Sequence, residues 1–152
     1  MPHLAAEASV DVERTPEAVW RYVSDIEKMG EWVDGVSDVR LTSPAPYRVG
    51  STFESQYHYR GKDFAVAYRC TQLEPPRVHA MESTSGPFPF KGRLTLEPAG
   101  AGTRVVNHLE AGSDSWFTSF MFRALAPLTR RMLRGQLAKE LRKLKERVEA
   151  AA

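Results

Sequence analysis

Cysteine is nearly absent from this chain. Cys70 stands alone among 152 residues, so no internal disulfide can form, and the expected setting is a reducing, cytoplasmic one. Long apolar runs are absent too. No stretch approaches the roughly 20 residues that span a bilayer, and integral membrane association is not expected. The segment Met1 to Ser9 lacks a basic flank followed by an apolar run, so no secretory signal is expected. A net charge of +2 gives no reason to expect nucleic acid as a partner. Metal-binding spacing is missing as well. His3, His58, His79 and His108 do not pair with one another, and Cys70 has no cysteine partner, so neither a metal nor a cofactor is expected. The sequence has no Gly-x-Ser-x-Gly elbow, phosphate-binding loop or dinucleotide fingerprint. It also shows no internal repeat, and one domain over residues 1–152 is the expectation.

What is present begins with the last third of the chain. Leu133, Leu137, Leu141, Leu144 and Val148 recur at helical spacing, which predicts a helix from about Ser115 to Ala150 with one apolar stripe. Arg134, Lys139, Glu140, Arg142, Lys143, Lys145, Glu146 and Arg147 are assigned to its solvated face. Some thirty helical residues reach roughly 45 Å at about 1.5 Å each, too long for the stripe to bury itself. Ser113 or Asp114 is the expected cap, and Pro127 predicts a kink or break near Ala126.

Ahead of this helix the chain reads as strands. Ala6 to Glu13 is a weak first strand, and Thr15-Pro16-Glu17 is a sharp helix start. Val19, Val23 and Ile26 give that helix a buried face, Gly30 stops it, and a short turn through Glu31-Trp32-Val33 follows. Six further strands are predicted, near Gly35–Leu41, Phe53–Tyr59, Phe64–Cys70, Val78–Ser83, Phe90–Leu96 and Thr103–Ala111. The turns at Arg60-Gly61, Glu74–Arg77, Gly86-Pro87 and Pro98–Gly102 are short, so neighbours should pair antiparallel. The predicted class is α+β: a curved antiparallel sheet of about seven strands around a long C-terminal helix, with two short helices after strand 1.

The order of elements and several strings resemble the START-like, helix-grip (Bet v 1-like) superfamily, in particular the polyketide cyclase/dehydrase branch of SRPBCC proteins. The strings are TPEAVWRYVSDIEKMGEWVDGV at Thr15–Val36, LEPPR at Leu73–Arg77, LEPAGAGTRV at Leu96–Val105 and LAKELRKLKERVE at Leu137–Glu149. The resemblance covers nearly the whole chain. It implies an apolar cavity between sheet and helix, as in aromatase/cyclases, lipid and sterol carriers and hormone receptors. It also implies that the short helices rim the cavity, which makes Trp32 either a rim residue or a plug.

Candidate site residues are the polar and flexible ones that share a phase with apolar neighbours. Ser55, Tyr57, Tyr59 and Tyr68 run in phase with Phe53, Phe64 and Val66, and Asn107 lies in phase with Val105 and Leu109. Phe90 and Leu94 belong to the same wall, and Met121, Leu125, Leu128 and Met132 follow a helical pattern toward the hollow. These residues, with Trp32, form the expected ligand site. His58 and His108 read as surface residues, Cys70 as a buried small one, and His79 cannot be phased.

Three readings of function follow. The first is binding or transport of a hydrophobic small molecule, of lipid, polyketide-like or isoprenoid type. In the second the chain is a polyketide cyclase/dehydratase, with Tyr59 and Glu82 as candidate acid–base groups. The third is a protein-interaction module of the coenzyme Q-associated type, using basic residues such as Arg142 and Lys143. The segment Trp116–Phe122 could be lid, core or a peripheral membrane contact, and the chain could be monomer or homodimer.

Overall fold

The computed structural model describes residues 3–59, 61–86, 89–112 and 116–151, with side chains described for 5–59, 61–86, 89–111 and 130–151. Strand β1 (His3–Val12) leads into helix α1 (Pro16–Val23) and a 3-10 segment, α2 (Ile26–Glu31). Strands β2 (Val36–Leu41), β3 (Thr52–Tyr59), β4 (Lys62–Glu74), β5 (Val78–Ser85), β6 (Phe90–Ala99) and β7 (Gly102–Gly112) follow, and helix α3 (Trp116–Ala150) ends the chain. The seven strands form one sheet in the order β1-β7-β6-β5-β4-β3-β2. Every adjacent pair is antiparallel.

Local sequence explains the entry to α1. The Thr15 hydroxyl accepts from the Ala18 N–H at 3.2 Å, Pro16 sits where no N–H is needed, and Glu17 faces the positive end of the helix. The helix ends at Val23, earlier than Gly30, because the Ser24 hydroxyl bonds back to the Trp20 carbonyl at 2.7 Å. Ile26 and Met29 therefore reach the core from the tighter α2 rather than from α1. The expected break near Ala126 is not seen: α3 continues as helix through Pro127. Proline removes one ladder bond, and a 35-residue helix retains the rest. The expected cap at Ser113 or Asp114 lies outside the described residues.

Helix α3 lies chiefly along β1. Leu141 and Leu144 are fully buried there with Val12, Val19, Val23, Leu96, Val105 and Val148. Each such leucine contributes about 1.5–3 kcal/mol by leaving water. Polar ties fix the helix axially: Lys145 Nζ donates to the Asp11 carbonyl at 2.8 Å, Arg130 Nε to the Ala5 carbonyl at 3.2 Å, and the Glu13 N–H to Glu149 Oε2 at 2.8 Å. A second apolar cluster joins Ile26, Met29, Val36, Phe53, Val66 and Tyr68 at the other end of the sheet. Space is left between the two clusters.

The candidate ligand cavity

A cavity of about 310 Å³ occupies that space, between the concave face of the sheet and α3. Its walls are mostly apolar, and members of both clusters contribute: Trp32 and Leu94 from one, Met29, Val36, Val66 and Tyr68 from the other. Cross-strand register explains the shape of the sheet wall. Met81, Gly92 and Leu109 form one row, and His79, Leu94 and Asn107 the next. Gly92 is the gap in the first row. A methyl group built there would touch only Leu109 Cδ1, at 3.7 Å.

The polar end of the cavity is built around Asp34, in the α2–β2 connection. Its carboxylate accepts from Gln136 Nε2 at 2.6 Å, pairs with Lys139 Nζ at 3.3 Å and also binds Lys143 Nζ. Its own N–H donates to Glu140 Oε2 at 3.0 Å. Positions 136, 139, 140 and 143 share one face of α3, so a single loop residue fastens this side of the cavity to the helix. Lys143, foremost, holds the Asp34 carboxyl down at about 2. Gly35 makes the approach possible: it has φ +81°, and a Cβ there would meet the His58 carbonyl oxygen at 2.7 Å.

Glu140 is buried, not solvated as its place among charged neighbours predicts. It follows Leu137 by three positions and precedes Leu144 by four, so the apolar stripe carries it inward. Both of its hydrogen bonds, from the Asp34 N–H and Gln136 Nε2, fall on Oε2. Oε1 has no partner among the described residues. Burial, as the largest cause, raises the Glu140 pKa, and nearby Glu140 adds to the burial that raises Tyr57. An acid whose pKa is raised on folding destabilises the folded state once it ionises, and the penalty grows as pH rises. Glu140→Gln keeps an acceptor for both donors, so it should raise the melting temperature at pH 7.5 by about 2–4 °C, the equivalent of about 1 kcal/mol for a chain of this size. The gain should fade on acidification. Thermal denaturation at pH 5 and pH 7.5 measures both, and a lower melting temperature at pH 7.5 would refute the account.

The expected site residues separate into four groups. Trp32, Tyr57, Val66, Tyr68, Phe90, Leu94 and Asn107 all line the cavity. Phe53 and Ser55 are buried behind it. Phe53 stacks on Tyr68 with centroids 4.6 Å apart, and the Ser55 hydroxyl shares a 2.6 Å hydrogen bond with the Tyr68 hydroxyl. They brace the wall rather than form it. Phe64 is half-buried beyond the cavity. Tyr59 is 39% exposed and stacks on Tyr57 at 6.1 Å, because the strand carries it past the end of the hollow. Met132 is 68% exposed, one residue and about 100° of helix away from the lining Leu133. Glu82 pairs with Arg69, its cross-strand neighbour, and does not line the cavity. Met121, Leu125 and Leu128, and the side chains of Trp116–Phe122, lie outside the described side chains.

Several lining residues were not singled out from the sequence: Asp34, Gln136, Glu140, Met81, Gly92 and His79. His79 is 2% exposed. Its Nε2 lies 2.6 Å from the Tyr47 hydroxyl, and Tyr47 and Trp20 pack against it edge-on. Burial lowers its pKa to about 4, and burial also raises the Tyr47 phenol far above its ordinary value. His58 and His108 lie on the outer face and pair with Asp63 and Glu7. Among the described residues, no helix is long and apolar enough to cross a membrane.

Comparison with known proteins places this geometry. An uncharacterised protein of Mycobacterium tuberculosis strain H37Rv is 27% identical over 143 residues, 93% of this chain and 96% of that protein. A protein from Thermus thermophilus has a similar structure, with TM-score 0.75, 23% identity and 99% coverage of both chains. The ZhuI aromatase/cyclase from Streptomyces sp. R1128 superposes with TM-score 0.74 at 15% identity, over 97% of this chain and 95% of that one. Ara h 8.0201 does so with TM-score 0.65 at 9% identity, over 97% and 99%. These likenesses confirm the helix-grip, Bet v 1-like architecture. Residues 3–149 match the family described as "Polyketide cyclase / dehydrase and lipid transport", and the chain belongs to that family.

Proposed function

We propose that the protein binds a hydrophobic small molecule of lipid, polyketide-like or isoprenoid type in the cavity between sheet and α3. The observation that carries this reading is the mostly apolar space of about 310 Å³. Well-packed interiors leave few voids larger than a water, and this volume is at the lower end of small-ligand sites. The few polar groups at one end, Asp34, Gln136, Glu140 and Tyr57, would orient a guest while the greasy wall holds it. Protein purified under native conditions and extracted with organic solvent should yield one apolar compound near stoichiometric amount by mass spectrometry. An empty extract, together with no uptake of the neutral dye N-phenyl-1-naphthylamine, would remove the reading.

Glu140 favours a second reading, cyclase or dehydratase chemistry. A carboxyl with a raised pKa, one unpartnered oxygen and a cavity tyrosine beside it suits proton transfer to or from a bound carbonyl compound. In this reading the acid–base pair is Glu140 and Tyr57, not Tyr59 and Glu82, which do not line the cavity. The surface-interaction reading draws less support, because Lys143 is engaged with Asp34 rather than free on the helix surface.

A further inference from the structure

His79 leaves an account open. Of the side-chain nitrogens and oxygens wholly shut off from solvent among the described residues, His79 Nδ1 alone has no hydrogen-bond partner. Buried polar groups are satisfied as a rule, and an exception in a wall that faces a cavity has to be explained by what comes to meet it. The imidazole is neutral at pH 7, since burial lowers its pKa to about 4. The Tyr47 hydroxyl, which keeps its proton, shares a 2.6 Å hydrogen bond with Nε2. With Tyr47 as the donor in that bond, the single imidazole proton sits on Nδ1, which makes that atom a donor without an acceptor.

The surroundings show how an acceptor could arrive. A small second cavity of about 10 Å³ lies against His79. Met29, Trp32, His79, Met81 and Leu94 line both this space and the main cavity. The partition between them therefore contains two methionines, unbranched side chains with several rotatable bonds that yield readily to a guest.

Resting on the binding reading above, we propose that the occupied cavity extends through the Met29–Met81 partition to His79 Nδ1. The guest is then an otherwise hydrophobic molecule that presents a carbonyl oxygen to that N–H. His79 is a specificity-determining contact, and Tyr47 is the positioning residue that sets its tautomer. This anchor lies apart from the Asp34–Glu140 group, so the guest is held by polar contacts at two places on an apolar wall.

The test uses two neutral probes of matched shape, 2-acetylnaphthalene and 2-isopropenylnaphthalene, which differ in C=O against C=CH₂. Calorimetric titration of the full chain should show the ketone binding about five- to tenfold tighter, the range of one net hydrogen bond. His79→Phe should abolish the preference. ¹⁵N NMR should report a protonated Nδ1 in free protein, shifting with the ketone and not with the alkene. If His79→Phe does not fold, the wild-type spectra decide. Equal binding of the two probes, or a proton on Nε2, overturns the proposal and leaves the cavity reading standing. Equal binding is also the result if a lone water fills the small cavity. If neither probe binds, the cavity reading fails, and this proposal with it.

Discussion

Gly92→Leu should weaken binding of N-phenyl-1-naphthylamine by at least about 100-fold, close to 2.7 kcal/mol, without unfolding the protein. Gly92 stands mid-strand between Met81 and Leu109, and its missing side chain is part of the cavity. A Cβ there meets nothing nearer than 3.7 Å, and no left-handed backbone angle stands in the way. The rest of a leucine has only the hollow to enter. Glycine also weakens a strand by its backbone freedom, so a β-compatible replacement should hold or raise stability by up to about 1 kcal/mol. Gly92→Ala serves as control and should bind within a few-fold of wild type. Dye titration and thermal denaturation on the same samples separate the two effects. Unchanged dye affinity in a folded Gly92→Leu protein would mean that the guest site lies elsewhere.

That glycine shows which features the sequence exposes and which it hides. Alternation and turn chemistry were enough for the sheet, and the leucine spacing was enough for the helix, because each signal lies within one element. The phase of β3 correctly separated Phe53, Ser55 and Tyr57 from the outer face. It could not say where along the strand the hollow ends, so Tyr59 was grouped with residues it leaves behind. Strand β5 was harder. Its partner β4 has a register shift between Cys70 and Gln72. A bulge of this kind changes which face later residues occupy. That shift lies in β4 and leaves the alternation of β5 intact: Glu82 runs in phase with apolar Val78 and Ala80, yet His79 and Met81 are the residues of β5 that line the cavity. Gln136 and Glu140 carried a usable signal, since both sit at helical spacing within the leucine stripe. Their polarity hid it, because a polar residue is ordinarily assigned to solvent. Asp34 offered no such signal: its role depends on a loop meeting a helix more than 100 positions away.

His79 should lower the stability of the protein by about 3 kcal/mol between pH 7 and pH 4. The sign follows from the two states. Unfolded, His79 takes a proton near 6.5; folded, burial delays protonation until about 4. Between those values the unfolded chain holds more protons, so acidification favours it, and 2.5 pH units at 1.36 kcal/mol each give the size. The neighbours packed on the ring are Tyr47 and Trp20, neither of them charged at these pH values. Asp25 shares the wall of the small cavity, and burial alone accounts for the lowered pKa. Glu140 works in the opposite direction, becoming less unfavourable as it takes its proton. Asp34 enters only below its ordinary 3.8, where protonation toward about 2 releases Lys143. The His79 window is therefore distinct. Urea unfolding midpoints at pH 7 and pH 4 should lie far apart for wild type and much closer for His79→Gln, which offers Tyr47 an acceptor but does not titrate. An equal separation in both proteins would show that the acid sensitivity arises from another group.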